Sequence, residues 1–341
     1  MAALLKQAHK AGILMAGCIA IAICSSCADD SETGYDNRIT IGFEISATEG
    51  NIVQSRAAQL TEEPSVLLYA HNKDSLFLHT TISDNPLPAA ESAETRGVPI
   101  TKDNFKEKCQ AFGVKAYVNG STGYMDAKVS TEADGIWIPD GDLRFWPGTE
   151  TLDFYAYAPY DKGNALANAT CANGTISFSY TVPRTAEGKD GEAQPDLLFA
   201  FASKNVKNVK NGCVLLNFKH ALAAVRFKAH ETAKGTIKSI RIKNVYGSGS
   251  CTYEGKGGTF EWTQTGERCS FTQSFDVAVD GDNHDVTAKN PEKTFMMVPQ
   301  SLEDATIEVN LMTDDGKTHT LEAQLSKVWE AGKIYTYTIV L

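Results

Sequence analysis

The chain has 341 residues, a length that suits two ordinary domains, and it carries 32 basic against 42 acidic residues, a formal net charge of −10. An acidic chain with no basic run interleaved with aromatics argues against nucleic acid and anionic lipid as partners. Beyond Cys27 the cysteines (Cys109, Cys171, Cys213, Cys251 and Cys269) are odd in number and widely spaced, which argues against a zinc site or a thioredoxin-like redox motif.

The N-terminus is the most informative segment. Lys6, His9 and Lys10 form a short basic region, and Ala11 to Cys24 is an unbroken apolar run. That run is short for a bilayer span and suits the hydrophobic region of a signal peptide. Ser25, Ser26 and Cys27 then read as a lipoprotein cleavage site. Removal of residues 1–26 leaves the Cys27 thiol to take a diacylglycerol and its freed amine a further acyl chain. Several chains anchor firmly, since each buried methylene contributes about 0.8 kcal/mol. Cys24 stands where such sites more often carry an aliphatic residue, so an ordinary secretory cut near Ser26 is the alternative. Residues 27–37 follow as an acidic tether opened by Ala28-Asp29-Asp30-Ser31-Glu32. This run is either a solvated linker or, by resemblance to Bacteroidota lipoproteins, a signal for outward display on the outer membrane.

From residue 38 onward apolar and polar residues alternate with period two. Ile39, Ile41, Phe43 and Ile45 share one face of a first strand. Phe112, Val114, Ala116 and Val118 repeat the pattern, and so do Leu152, Phe154, Ala156 and Ala158. Later strands are expected at 237–245, 294–298, 305–312, 319–325 and 334–341, with one short helical turn within 101–110. Short strands divided by Gly, Asn, Asp and Pro predict an all-β, antiparallel β-sandwich architecture. Ser83 to Pro99 and Ser203 to Gly212 read as loops or linkers. The second sets the domain boundary, giving an N-terminal domain over 38–205 and a C-terminal domain over 206–341.

Chemistry-bearing patterns are weak. There is no H-E-x-x-H, G-x-S-x-G, Walker or G-x-G-x-x-G motif, so the sequence predicts no enzyme and no cofactor. His71, Asp74 and His79 lie close together without a nucleophile motif and read as a solvated strand face. His220 reads as a satisfied, partly buried histidine. Asp276, Asp280, Asp282, Asn283 and Asp285 are the densest set of oxygen ligands, but their spacing departs from a calcium loop and an acidic hairpin tip is the better reading, with no metal expected. Cys251 and Cys269 flank a candidate hairpin and are the best disulfide pair, against the alternative of small buried thiols. Trp137, Trp262 and Tyr124 are the aromatics a sugar would stack on, unless they pack inside the sandwich.

Taken in order, several landmarks resemble the fimbrillin (Mfa-like, type V pilus) family of Bacteroidota surface lipoproteins. They are the lipoprotein start, Arg38 to Phe43, Thr95-Arg96-Gly97, Phe112 to Tyr117, Phe145-Trp146-Pro147-Gly148, Leu152 to Tyr160, Asp196 to Ala200, Leu216 to Leu222, Met297 to Gln300 and Trp329 to Ile339. The resemblance spans essentially the whole mature chain. It implies two transthyretin-like β-sandwich domains in tandem and a fimbrial subunit that mediates cell adhesion. In members that polymerise, a trypsin-like protease cuts after Arg or Lys near the N-terminus, the first strand leaves, and a strand from a neighbouring subunit takes its place. Arg56, which closely follows the first strand, is the favoured cut here, with Arg96 the other candidate. The chain ends at Leu341 directly after its last strand, which departs from a stalk subunit and fits a tip, accessory or anchor subunit. Asp74-Ser75-Leu76 matches a short O-glycosylation pattern of these bacteria. A monomeric glycan-binding surface lipoprotein is the alternative function, and a host or bacterial surface glycan or protein is the expected ligand class.

Overall fold

The computed structural model describes residues 39–47, strands at 61–62, 66–68 and 76–84, and residues 100, 103–131, 136–160, 169–184, 194–280, 285–287 and 290–340. They form an all-β protein with one short helix. The first strands are β1 (Gly42–Ala47), β2 (Thr61–Glu62), β3 (Val66–Leu68) and β4 (Leu76–Asp84). Helix α1 (Phe105–Cys109) precedes β5 (Ala111–Val118), β6 (Thr122–Thr131), β7 (Trp137–Pro139) and β8 (Leu152–Ala158). Next come β9 (Thr170–Ala172), β10 (Thr175–Thr181), β11 (Leu198–Lys204), β12 (Cys213–His220) and β13 (Ala223–Ala229). Two long strands, β14 (Lys234–Glu254) and β15 (Thr259–Asp280), form a hairpin. The chain then runs through β16 (Phe295–Met297), β17 (Gln300–Ser301), β18 (Thr306–Met312), β19 (Thr318–Gln324), β20 (Val328–Trp329) and β21 (Lys333–Val340).

Seven strands close into a barrel in the order β1-β12-β11-β8-β5-β6-β7. Period-two alternation aims Ile41, Phe43, Phe112, Val114, Phe154, Leu216 and Phe218 into one core. Phe105 of α1 plugs it, with its ring centroid 5.1 Å from that of Phe218 and 5.4 Å from that of Trp137. The other face of β8 is buried too. Tyr155 and Tyr157 point out of the barrel into a second cluster with Phe199, Phe178, Tyr253 and Ala224. Gly113 is required there, because a Cβ at that position would lie 2.1 Å from the Tyr157 ring.

Two open sheets form the remaining layer pair. One has the order β16-β13-β21-β4-β2, the other β19-β18-β14-β10-β9 with β15 also on β14. Phe227, Phe295, Tyr337 and Ile339 from the first meet Ile240, Phe271, Ile307 and Val309 from the second. Leu78 of β4 is buried in that core, so a strand from the N-terminal end of the chain completes a sheet made mostly of C-terminal strands. The β14–β15 hairpin serves both cores. Its register shifts near Ser239, Val245 and Ser248 are bulges, and bulges bend a strand. The part with Ile240 and Ile242 packs in the sandwich, and the part with Cys251 and Tyr253 packs on the outer wall of the barrel.

The segment read as a linker, 203–212, is a short structured connection. Ser203 and Lys204 belong to β11, and Val206–Asn208 is a 3-10 turn whose start is held by Asn205 Oδ1 accepting from Lys207 N at 3.0 Å. Val206 and Val209 pack against the barrel core. Both strands that flank this connection, β11 and β12, are neighbours in the barrel. The polar residues around the two valines hide this role in the sequence.

Candidate functional site

The barrel is completed by its first strand. β1 runs parallel to β12 over six register pairs, from Gly42 opposite Cys213 to Ala47 opposite Phe218. On its other side Phe43 opposite Trp137 is the one register pair with β7 among the described residues. The strand is therefore laddered fully along one edge, and on the other is held at its start and by its side chains. Ile41 and Phe43 are buried, Ile45 packs partly, and the Phe43 ring sits edge-on to Phe154 at 5.6 Å and Phe112 at 6.0 Å. Burial of each such side chain stabilises by about 1.5–3 kcal/mol.

The start of β1 is held by two turns. Ile41 N donates to Arg144 O at 2.7 Å, and Trp146 N donates to Ile39 O at 2.9 Å. Gly42 N and the Trp146 indole both donate to Gly212 O, at 3.3 and 3.1 Å. Tyr124 Oη donates to Phe145 O. Gly212 has φ +73°, and a Cβ there would lie 2.1 Å from Thr40 O. The Phe145-Trp146-Pro147-Gly148 landmark thus fastens the first strand to the barrel. Beside it, burial and the Glu44 carboxylate push the Cys213 thiol pKa up.

A second landmark pair meets under the barrel wall. His220 Nδ1 and Asp196 Oδ2 are 2.7 Å apart and both side chains are buried. Asp196 Oδ2 also accepts from Ile100 N at 3.0 Å. Asp196 Oδ1 and His220 Nε2 have no partner among the described residues. Burial, helped by Asp196, pushes the Cys109 thiol strongly up. His220 is a fully enclosed member of a polar anchor and is buried more deeply than its sequence setting suggests.

A family model described as fimbrillin-like matches residues 95–341. The chain belongs to the fimbrillin-like family. That is a family of fimbrial proteins, not of enzymes, and it places the protein at the cell surface or in a fimbrium. No curated protein matches the chain. Among solved structures, it is similar to a candidate cell adhesion protein of Bacteroides uniformis, with 21% identity, TM-score 0.45, and coverage of 69% of this chain and 86% of that one. A candidate cell adhesion protein of Bacteroides ovatus shows 19% identity, TM-score 0.45, and coverage of 68% and 82%. A fimbrial protein of Bacteroides ovatus shows 14% identity, TM-score 0.34, and coverage of 68% and 43%.

The remaining sequence-expected residues can be placed on this fimbrillin-like fold. Cys27, Arg56 and Arg96 lie outside the described residues, as do His71, Asp74, the His79 side chain, Asp282 and Asn283. The Cys251–Cys269 pairing is corrected: both are free thiols. They sit on adjacent strands, but Cys251 stands opposite Trp262 and Cys269 opposite Val245, so they are roughly 20 Å apart along the ladder at about 3.3 Å per residue. The three candidate sugar-stacking aromatics follow the packing alternative. Trp137 is buried in the barrel, and Tyr124 is tied to Phe145. Trp262 is half-buried and donates to Ala221 O at 3.0 Å. Asp276 pairs with Lys238 at 2.6 Å and Asp285 with Lys228 at 3.5 Å.

One surface feature was not visible in the sequence. On the outer face of β9, β10, β14 and β15, the pairs Ser177–Thr252, Ser179–Ser250 and Thr181–Ser248 join hydroxyls at 3.3, 3.1 and 3.0 Å. The first two pairs, with Thr170, Glu261 and Thr263, line a recess of about 570 Å³. The alternation Ser177, Ser179, Thr181 is legible in the sequence, but its pairing with β14 is not.

Proposed function

We propose that this fimbrillin-like protein is a lipid-anchored fimbrial subunit of the outer membrane, at a tip, accessory or anchor position, that assembles by exchange of β1 and mediates adhesion. The supporting observation is the unequal attachment of β1: a full parallel ladder to β12, against a single register pair to β7 among the described residues and a bridge from Thr40 to Phe145 just before the strand, with an apolar row of Ile41, Phe43 and Ile45. A strand of that kind leaves behind a groove with unpaired backbone groups and side-chain pockets, which is what strand addition uses.

The fold also separates the two candidate cuts. Arg56 lies between β1 and β2, so cleavage there severs β1 alone from the body. Arg96 lies between β4 and α1, so cleavage there severs β4 as well. β4 carries eight register pairs to β21 and places Leu78 in the sandwich core, and its loss would open a second sheet. Arg56 is therefore the cut that opens the barrel and leaves the sandwich intact.

The test uses full-length protein digested with an Arg-specific protease and a labelled peptide of residues 38–49. The expected result is saturable, stoichiometric peptide binding by the trimmed chain, and loss of binding for a peptide with Phe43→Asp. Trimmed protein that takes up neither peptide would refute strand exchange. A second reading, glycan binding without assembly, is supported by the hydroxyl-lined recess. It predicts glycan affinity lost on Glu261→Ala while β1 stays in place.

A further inference from the structure

Among the described residues six large aliphatic side chains are strongly exposed, and five of them surround β1: Ile39 (47%), Ile136 (43%), Ile138 (39%), Leu143 (64%) and Leu215 (55%). The sixth, Val328, is on β20. The parallel register sets Cys213 beside Gly42 and Leu215 beside Glu44. The Phe43–Trp137 pairing brings Ile136 and Ile138 to the other side of the same two residues. Gly42 leaves the centre low: a Cβ there would meet Cys213 Sγ at 3.2 Å and Ile136 Cγ2 at 3.6 Å. Ile39 leans over Gly212, and Leu143 precedes the Arg144 carbonyl that holds Ile41. Ile136, Ile138 and Leu215 line one apolar wall on the outside of the barrel beside Gly42 and Glu44, with Ile39 and Leu143 near the start of the strand. The largest contiguous apolar patch on a protein surface is often functional.

The surrounding charges indicate which partner. Glu44, Asp142, Arg144 and Lys210 are all exposed around the wall, and none is in an ion pair among the described residues. A lipid surface favours a basic rim and a sugar favours open aromatics; this rim carries both signs in balance. Such a surface complements itself. Under a two-fold axis, the acids of one copy face the bases of the other while the apolar centres meet.

We propose that this wall is where two copies of the chain meet. Five exposed aliphatic side chains are fewer than the roughly 20–30 residues a side of a standard interface, so the pair is a weak one whose population rises with concentration. Ile39 and Glu44 travel with β1, so the contact belongs to the chain with its first strand in place. The inference does not depend on strand exchange.

Sedimentation velocity of the uncleaved full chain in detergent, over a concentration series, tests it. Wild-type protein should shift from monomer to dimer. Leu143→Glu/Leu215→Glu should weaken the pair at least tenfold, and Leu215→Asn should weaken it less. Val328→Glu, equally exposed and elsewhere, should behave as wild type. Near-UV circular dichroism matching wild type establishes that each variant is folded. Wild-type protein that stays monomeric throughout, or a dimer that survives the double substitution, overturns the proposal. Equal weakening by Val328→Glu does so too. Peptide binding by trimmed protein is a separate readout, so either proposal can fail without the other.

Discussion

Phe43→Ala removes the side chain that holds β1 most firmly. Phe43 is fully buried and meets Phe112 and Phe154 edge-on. Truncation of such a ring costs about 3–5 kcal/mol, because both transfer free energy and a cavity contribute. β1 is fully laddered on one side and, among the described residues, has one register pair with β7 on the other beside the hold at its start, so the loss should act first on local detachment of the strand. At about 1.4 kcal/mol per tenfold, the opening equilibrium should rise by roughly two to three and a half decades. Hydrogen exchange read by mass spectrometry over residues 39–47, 213–220 and 152–158 measures this. Protection should fall most in β1 and along the β12 edge that it covers. β8, deep in both cores, should lose protection only to the extent that global stability falls. A loss below about 1 kcal/mol, or equal loss in all three segments, would show that β1 is an ordinary strand of the barrel.

Other substitutions probe the same frame. Gly212→Ala puts a Cβ against Thr40 O at positive φ, so it should lower the thermal midpoint and raise exchange at the start of β1. Asp196→Ala strips His220 and the Ile100 amide of their shared acceptor, and should cost about 1–3 kcal/mol for each buried group left unpaired, read in urea unfolding. Non-reducing and reducing mass spectra should be identical, with Cys251 and Cys269 both alkylated after denaturation and Cys251 protected in the native state. Burial pushes the Cys171 pKa up to about 11, a raised value for an acid. Its contribution should be complete below the ordinary thiol value near 9 and lost as pH climbs through 11, which Cys171→Ala would flatten in a stability-pH curve.

Period two made the strands legible. Ile41, Phe43, Val114, Phe154 and Phe218 alternate cleanly, and their inward faces follow from that alone. What alternation does not encode is which strands become neighbours. The parallel pairings β1–β12 and β13–β21 join segments far apart in the chain, so no local turn chemistry announces them. Nor does alternation encode the second buried face of β8, where Tyr155 and Tyr157 pack, because that face depends on tertiary packing. Flanking one turn left Cys251 and Cys269 open to two readings, a disulfide or small buried thiols; the length and bulges of the hairpin separate them. The apolar wall escaped for the same reason: Ile39, Ile138 and Leu215 are unremarkable singly and form a surface only after the barrel closes.

The most direct test of the account is the mass of the N-terminal peptide of protein purified from the cell surface, before and after treatment with an Arg-specific protease. The account predicts an acylated Cys27 in the untreated chain, converted to a new terminus at Ala57, with the body retaining β2 to β21. An unacylated terminus, or a chain whose Arg56 bond survives a protease that readily cuts a denatured sample, would contradict it.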